Sequence, residues 1–186
     1  VYASDYQLVD SLMRNIKDYN HITTTSFGAS IAYSSCTGCT MVFNRYLMER
    51  LKGKMPSNLI MHDDWVHKVC LALGGEVLFD NVKTMRYRQH AHNVEGEKHS
   101  IIDKLQRVWS HFRGIRRNEF SKQLLEILKF YKKEMPPENI ILANNVLSYR
   151  KKNLLGRILL ASNKDYETPT KNLKHEFQLY IILKCW

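Results

Sequence analysis

The stretch Met61-His62-Asp63-Asp64-Trp65-Val66-His67 places two carboxylates, two imidazoles and an indole at the mouth of an apolar run that Gly74-Gly75 ends. Carboxylates and imidazoles take up protons and ligate cations, so residues of these types side by side could form a general base or part of a metal site. Aspartates before an apolar run and glycines just past it are the usual signature of helix termini. They predict a helix of about ten residues with both acids in its first turn. One acid then has an ordinary task, capping free N–H groups and gaining up to about 1 kcal/mol from the helix dipole. The second acid is left without one.

Two other groups carry reactive side chains. Cys36-Thr37-Gly38-Cys39 has the C-x-x-C spacing, but no second Cys or His pair stands at a zinc-finger distance from it. Tyr87-Arg88-Gln89-His90 closes a β-prone run before the polar loop Ala91 to His99, setting donors beside a metal ligand; solvated edge residues and an ordinary loop histidine are the simpler reading. A metal-dependent hydrolase drawing on His62, Asp63, His67 and His90 is one use of these groups.

The elements that must position them follow from pattern. Val1 to Asp18 reads as a strand running into a short helix, and Asn20 to Ser30 is a loop by composition. Ile31 to Phe43 is β-prone and interrupted at Gly38. Asn44 caps a helix over Arg45 to Lys52 that Gly53 closes. Glu76 to Phe79 and Val82 to Tyr87 read as two short strands joined near Asp80-Asn81. From Ser100 onward the period becomes helical. Ile101, Ile102, Leu105, Val108, Trp109 and Phe112 share one face, and Phe120, Leu124, Leu125, Leu128 and Tyr131 form a second stripe. Pro136-Pro137 ends that helix and Pro137 starts the next. Ile140 to Tyr149 and Leu154 to Leu160 give further helices, divided by Arg150-Lys151-Lys152, and a last amphipathic stretch runs from Leu173 to Trp186.

The 186 residues carry 44% hydrophobic and 25% charged side chains, an ordinary globular balance able to bury one real core. No apolar run reaches the roughly eighteen residues that span a bilayer, and the four cysteines are too few for a disulfide framework. Both features lead us to expect a cytoplasmic protein. The opening at Val1, without a methionine or a polar lead-in, is expected of a piece of a longer protein or a processed start. The net charge of +10 is uneven: residues 1–95 hold ten Lys/Arg against nine Asp/Glu, residues 96–186 eighteen against nine. A basic C-terminal half suits anionic lipid or nucleic acid. With no zinc-finger spacing, RNP-like motif or suitable GxxG loop, nucleic acid is not the expected partner, and peripheral contact with the inner face of the cell membrane fits at least as well.

Three ordered blocks then carry a resemblance. Thr37-Gly38-Cys39-Thr40-Met41-Val42-Phe43-Asn44-Arg45, His62-Asp63-Asp64-Trp65 and Tyr87-Arg88-Gln89-His90-Ala91-His92-Asn93-Val94-Glu95-Gly96 are similar, in order and spacing, to TGC-x-x-x-FNR, HDWW and YRQHGNNVVG of the rhamnosyltransferase-like members of bacterial glycosyltransferase family 2. The likeness covers roughly residues 1–100. It implies an α/β class, as part of a GT-A fold with few short strands and helices. Residues 1–99 would be the acceptor-side half of the transferase domain, and residues 100–186 a basic, mainly helical extension.

The implied activity is inverting sugar transfer from a nucleotide-diphospho-sugar to a saccharide or lipid-linked acceptor in polysaccharide biosynthesis. No D-x-D occurs in these residues, so the divalent metal (Mg or Mn) would be held mainly upstream of Val1, and this part alone is expected to be inactive. Inversion needs a base on the acceptor side; the resemblance assigns it to Asp63, with Asp64, which stands where the family has its first Trp, as the alternative. It makes Trp65 a stacking face for the acceptor sugar and puts His62 in place of an acidic partner. Gly38 and Cys39 would border the sugar site, Arg88 and Gln89 would contact substrate, and His90 would complete the metal's coordination. A non-catalytic basic module binding anionic lipid or nucleic acid is the alternative function.

Overall fold

The computed structural model describes residues 1–17, 21–34, 36–89 and 118–186. Four strands and seven α-helices among them make a mixed α/β structure. The sheet is built on β1 (Tyr2–Val9), which is covered on both faces at Ala3–Asp5 and again at Leu8–Val9, since consecutive side chains there point to opposite faces and are all buried. After the turn at Asp10, whose carboxylate accepts the Leu12 and Arg14 N–H groups at 2.9 Å, β2 (Asn15–Lys17) returns antiparallel against Leu8 and Val9. The helix expected in this segment is absent, because Asp10 turns the chain into a hairpin. Further on, β3 (Met41–Val42) pairs antiparallel with Tyr2 and Ala3, while β4 (Leu78–Arg88) runs parallel along β1 from Tyr2 to Val9. One edge of β1 is therefore filled by β4. The other is shared by β2 and β3, which leave Ser4 to Gln7 between them.

The β-prone reading of Ile31 to Phe43 is corrected. Ser26 accepts the Ala29 N–H and starts α1 (Phe27–Ala32), so Ile31 is helical, and the chain re-enters the sheet only after a 3-10 turn at Gly38–Thr40. The two short strands expected at 76–87 are one strand, β4. The Asp80 side chain accepts the Val82 N–H at 2.9 Å, and the register jumps from Asp80 opposite Ser4 to Lys83 opposite Asp5. Asp80-Asn81 thus makes a bulge, not a turn.

From Arg45 onward the helices follow the pattern closely, whereas α1 begins inside the stretch Asn20 to Ser30 that composition reads as a loop. In α2 (Arg45–Leu51) Asn44 caps Leu47 at 3.0 Å; α3 (His62–Ala72) begins with both acids, and Gly74 follows its end at φ +76. The C-terminal part holds α4 (Glu119–Tyr131), α5 (Pro137–Leu147, with Pro137 in its first turn), α6 (Leu154–Ala161) and α7 (Lys171–Ile182). The amphipathic pattern from Ile101 to Phe112 lies outside the described residues.

α3 packs between α1 and α4, and one hydrophobic cluster runs from Ala3 through Trp65 and Val69 to Ile127, Phe177 and Trp186. Asn139 of α5 donates from Nδ2 to the Leu71 and Ala72 carbonyls at 3.0 and 3.1 Å, satisfying two of the orphan acceptors at the end of α3. The helix that carries the acids is thereby fixed at its far end.

Candidate functional site

The first turn of α3 meets the Gly38–Thr40 turn. The Gly38 N–H donates to Asp63 Oδ2 at 2.9 Å, and the other carboxylate oxygen accepts the N–H of Asp64 at 2.9 Å. His62 lies exposed against the same turn: a Cβ placed on Gly38 would come within 2.5 Å of His62 Nε2 and 3.3 Å of Asp63 Cβ. A side chain at Gly38 would displace the exposed His62 ring and press on Asp63 Cβ, so glycine suits this close approach of the Thr37–Cys39 backbone to the helix start. Asp63 is half-buried, and each of its oxygens keeps a second lone pair, so the carboxylate can still accept a proton donor from outside.

Asp64 is engaged differently. Its carboxylate pairs with Lys68 Nζ at 3.0 Å, one turn along α3, and Lys68 also donates to Gln123 Oε1 of α4 at 3.2 Å. The Lys68 side chain is 7% exposed and that of Asp64 16%. Asp64 is thus the counter-ion of a buried ammonium.

Trp65 is 3% exposed, its ring edge-on to Phe130 and tilted against Tyr131 at centroid distances of 6.4 and 6.3 Å. The expectation that it offers a face to a sugar is corrected, because at that helix position the indole points into the core. His67 is also fully buried. Its Nε2–H donates to the Thr24 carbonyl at 2.8 Å and its Nδ1 accepts from Ser34 Oγ at 2.5 Å. Burial holds its pKa below the usual value, so the ring is a neutral clasp between α3 and the chain on either side of α1. With both nitrogens occupied it cannot ligate a metal, which removes one ligand from the hydrolase reading.

Cys39 is exposed, and partial desolvation, with the Asp63 charge adding to it, raises its thiol pKa; Cys36 is buried, and desolvation raises its thiol pKa too, with Thr23 Oγ1 at 3.3 Å. Neither is an activated thiolate. Arg88 is exposed and Gln89 half-buried at the far end of β4, where the Gln89 N–H donates to the Val9 carbonyl at 2.8 Å. Met41, just after the Gly38 turn, pairs with Ala3, whereas Arg88 pairs with Val9. Six residues of strand separate those partners, about 20 Å at ~3.3 Å per residue. Because β3 is antiparallel to β1, the chain ahead of Met41 heads back toward that end. His90 lies outside the described residues. Among the described residues no group of three or more His, Cys, Asp or Glu side chains could hold a metal.

Sequence reasoning missed Asp5. It sits fully buried at the middle of β1, beside the interval between β2 and β3, with Oδ1 2.5 Å from His21 Nδ1 and 2.7 Å from the Tyr6 N–H that donates to it. The Tyr6 ring lies tilted against the His21 and Tyr87 rings, at centroid distances of 4.0 and 5.1 Å. An acid inside the run Tyr2-Ala3-Ser4-Asp5-Tyr6 was the available signal, since a buried carboxylate requires a partner. No family model, curated protein or solved structure matches this chain.

Proposed function

We propose that the chain is the acceptor-side part of an inverting glycosyltransferase of GT-A type, with Asp63 as the base that takes the proton from an acceptor hydroxyl. The observation that supports it most is the Gly38 N–H to Asp63 Oδ2 bond, which joins the first two of the three sequence blocks similar to family 2 enzymes at a partly open surface. A backbone donor on one oxygen fixes the carboxylate's orientation while leaving a lone pair for the incoming hydroxyl, and orientation is what a general base requires. As the acceptor oxygen forms its bond to the anomeric carbon, its proton passes to Asp63 and the nucleotide diphosphate departs from the opposite face. His62, exposed beside Gly38, is placed to hydrogen-bond the acceptor. Asp64 is the weaker candidate for the base, because its charge is spent on Lys68.

The divalent ion that this reading requires would be held by ligands outside the described residues, and no step above is routed through it. Donor, saccharide acceptor and the cytoplasmic face of a membrane as working place belong to the same proposal. The test is sugar transfer by the longer protein that contains this chain. Asp63→Asn should lower kcat by about 10²–10⁴-fold, the range for one general base, while nucleotide-sugar affinity stays within about twofold. Full turnover in Asp63→Asn, or transfer by residues 1–186 alone, would overturn it.

A further inference from the structure

We propose that α6 is a surface helix that docks on an anionic lipid bilayer, its aliphatic face in the headgroup boundary and its basic flank against the lipid phosphates. Leu154, Leu155, Ile158 and Leu159 are exposed at 55, 64, 41 and 65%. At 100° per residue they span an arc of about 140° on one side of the helix, away from the buried Leu160. Exposed aliphatic side chains are ordinary one at a time; four on a helix of eight residues are not. α7 packs against α6 and carries the exposed Leu179, with the exposed Leu183 just past its end, and the Arg157 guanidinium donates to the Ile182 carbonyl, joining the pair.

The charge around this face selects the occupant. From Ser148 to Lys164 there are five Lys/Arg (Arg150, Lys151, Lys152, Arg157, Lys164) and no Asp or Glu. Arg150 and Lys151 lie in the 3-10 turn that leads into α6, so cations and aliphatic side chains meet at one end of the helix. A polar face rich in Lys/Arg beside Leu and Ile is the composition of helices that lie in the membrane interface. A second copy of the chain fits less well, because from Ser148 to Lys164 it would offer this basic flank only further Lys and Arg and no carboxylate. Nucleic acid fits poorly as well, since the face offers no aromatic ring for bases to stack on. Among the described residues no helix is long and apolar enough to cross a membrane, so the contact is one of surface docking. It needs neither sugar donor nor acceptor, and its failure would withdraw the membrane as working place while leaving the proposed transfer step standing.

Sedimentation of the 186-residue chain with vesicles tests this. We expect binding to phosphatidylcholine vesicles carrying about a third phosphatidylglycerol, little binding to pure phosphatidylcholine, and weakening as salt rises from 50 to 300 mM. Lys151→Gln with Lys152→Gln should weaken binding about 25-fold, taking on the order of fivefold per cation. Leu155→Ser with Leu159→Ser, both exposed and so leaving the circular dichroism spectrum unchanged, should weaken it at least tenfold. Equal binding to both vesicle types, or affinity unaltered in both double variants, would overturn the proposal. So would light scattering showing a dimer that Leu155→Ser/Leu159→Ser dissociates, which would assign the face to a second copy.

Discussion

Replacing Asp64 with asparagine removes the carboxylate bonded to Lys68, a lysine that the fold keeps 7% exposed. The ammonium retains Gln123 Oε1 at 3.2 Å and the face of the Phe120 ring at 5.6 Å, neither of which neutralises it. Breaking one side of a buried ion pair typically costs about 3–5 kcal/mol. Here the partial exposure of Asp64 and the remaining amide reduce that to about 2–3 kcal/mol. At about 2–4 °C per kcal/mol for a chain of this length, Tm should fall by about 4–12 °C. Lys68→Met in the same background removes the stranded charge and keeps most of the side chain's packing, so it should recover at least half of the loss. Urea unfolding of the four species in that cycle gives the coupling, which should exceed about 1 kcal/mol. If Asp64→Asn shifts Tm by less than about 2 °C and the two substitutions are additive, Asp64 is not the counter-ion of Lys68, and the reason for preferring Asp63 as base disappears with it.

Two further outcomes follow from burial. His67 is held neutral, with a pKa below its ordinary value of 6.5. The unfolded chain therefore binds the extra proton first as pH falls, so the stability His67 supplies is complete above about pH 6.5 and declines below it toward the depressed folded value. Urea midpoints between pH 7.5 and 5 should fall, and His67→Gln should flatten that slope; an unchanged slope refutes the assignment. Gly28→Ala would place a Cβ 2.1 Å from the Asp165 carbonyl oxygen, a backbone atom that cannot swing aside. A loss of about 1–3 kcal/mol in urea unfolding is expected for such overpacking, and a neutral result would mean that α1 does not rest on the Asp165 segment.

The helical elements were legible because caps and periods are local. Asn44, Pro137 and Gly74 mark termini through groups within a few residues, and the stripe from Phe120 to Tyr131 records one buried face. The sheet was less legible. Whether Asp80-Asn81 turns or bulges depends on a neighbouring strand nearly eighty residues earlier in the chain, and Ile31 entered a helix because a serine cap outweighed its own β preference. Trp65 shows the same limit at the site. The types at positions 62–65 could be read as chemistry, but which way each one points is set by packing on α4.

That directional rule also separates the two acids. Adjacent helical positions lie 100° apart, so Asp63 and Asp64 cannot serve one site in one way. Asp64 faces its i+4 neighbour Lys68 and the side of α3 that packs on α4; Asp63 faces the Gly38 turn and the partly open surface. An Asp–Lys pair at i, i+4 is ordinarily a surface feature, and the packing of Gln123 and Phe120 over Lys68 makes this one buried. Burial ties the Asp64 charge to folding, while a carboxylate held only by backbone N–H groups at a helix start keeps its orientation without a cation to satisfy. A proton acceptor for a neutral alcohol needs an oriented carboxylate with a lone pair turned to the surface, which Asp63 keeps beside the Gly38 turn while Asp64 is turned to Lys68.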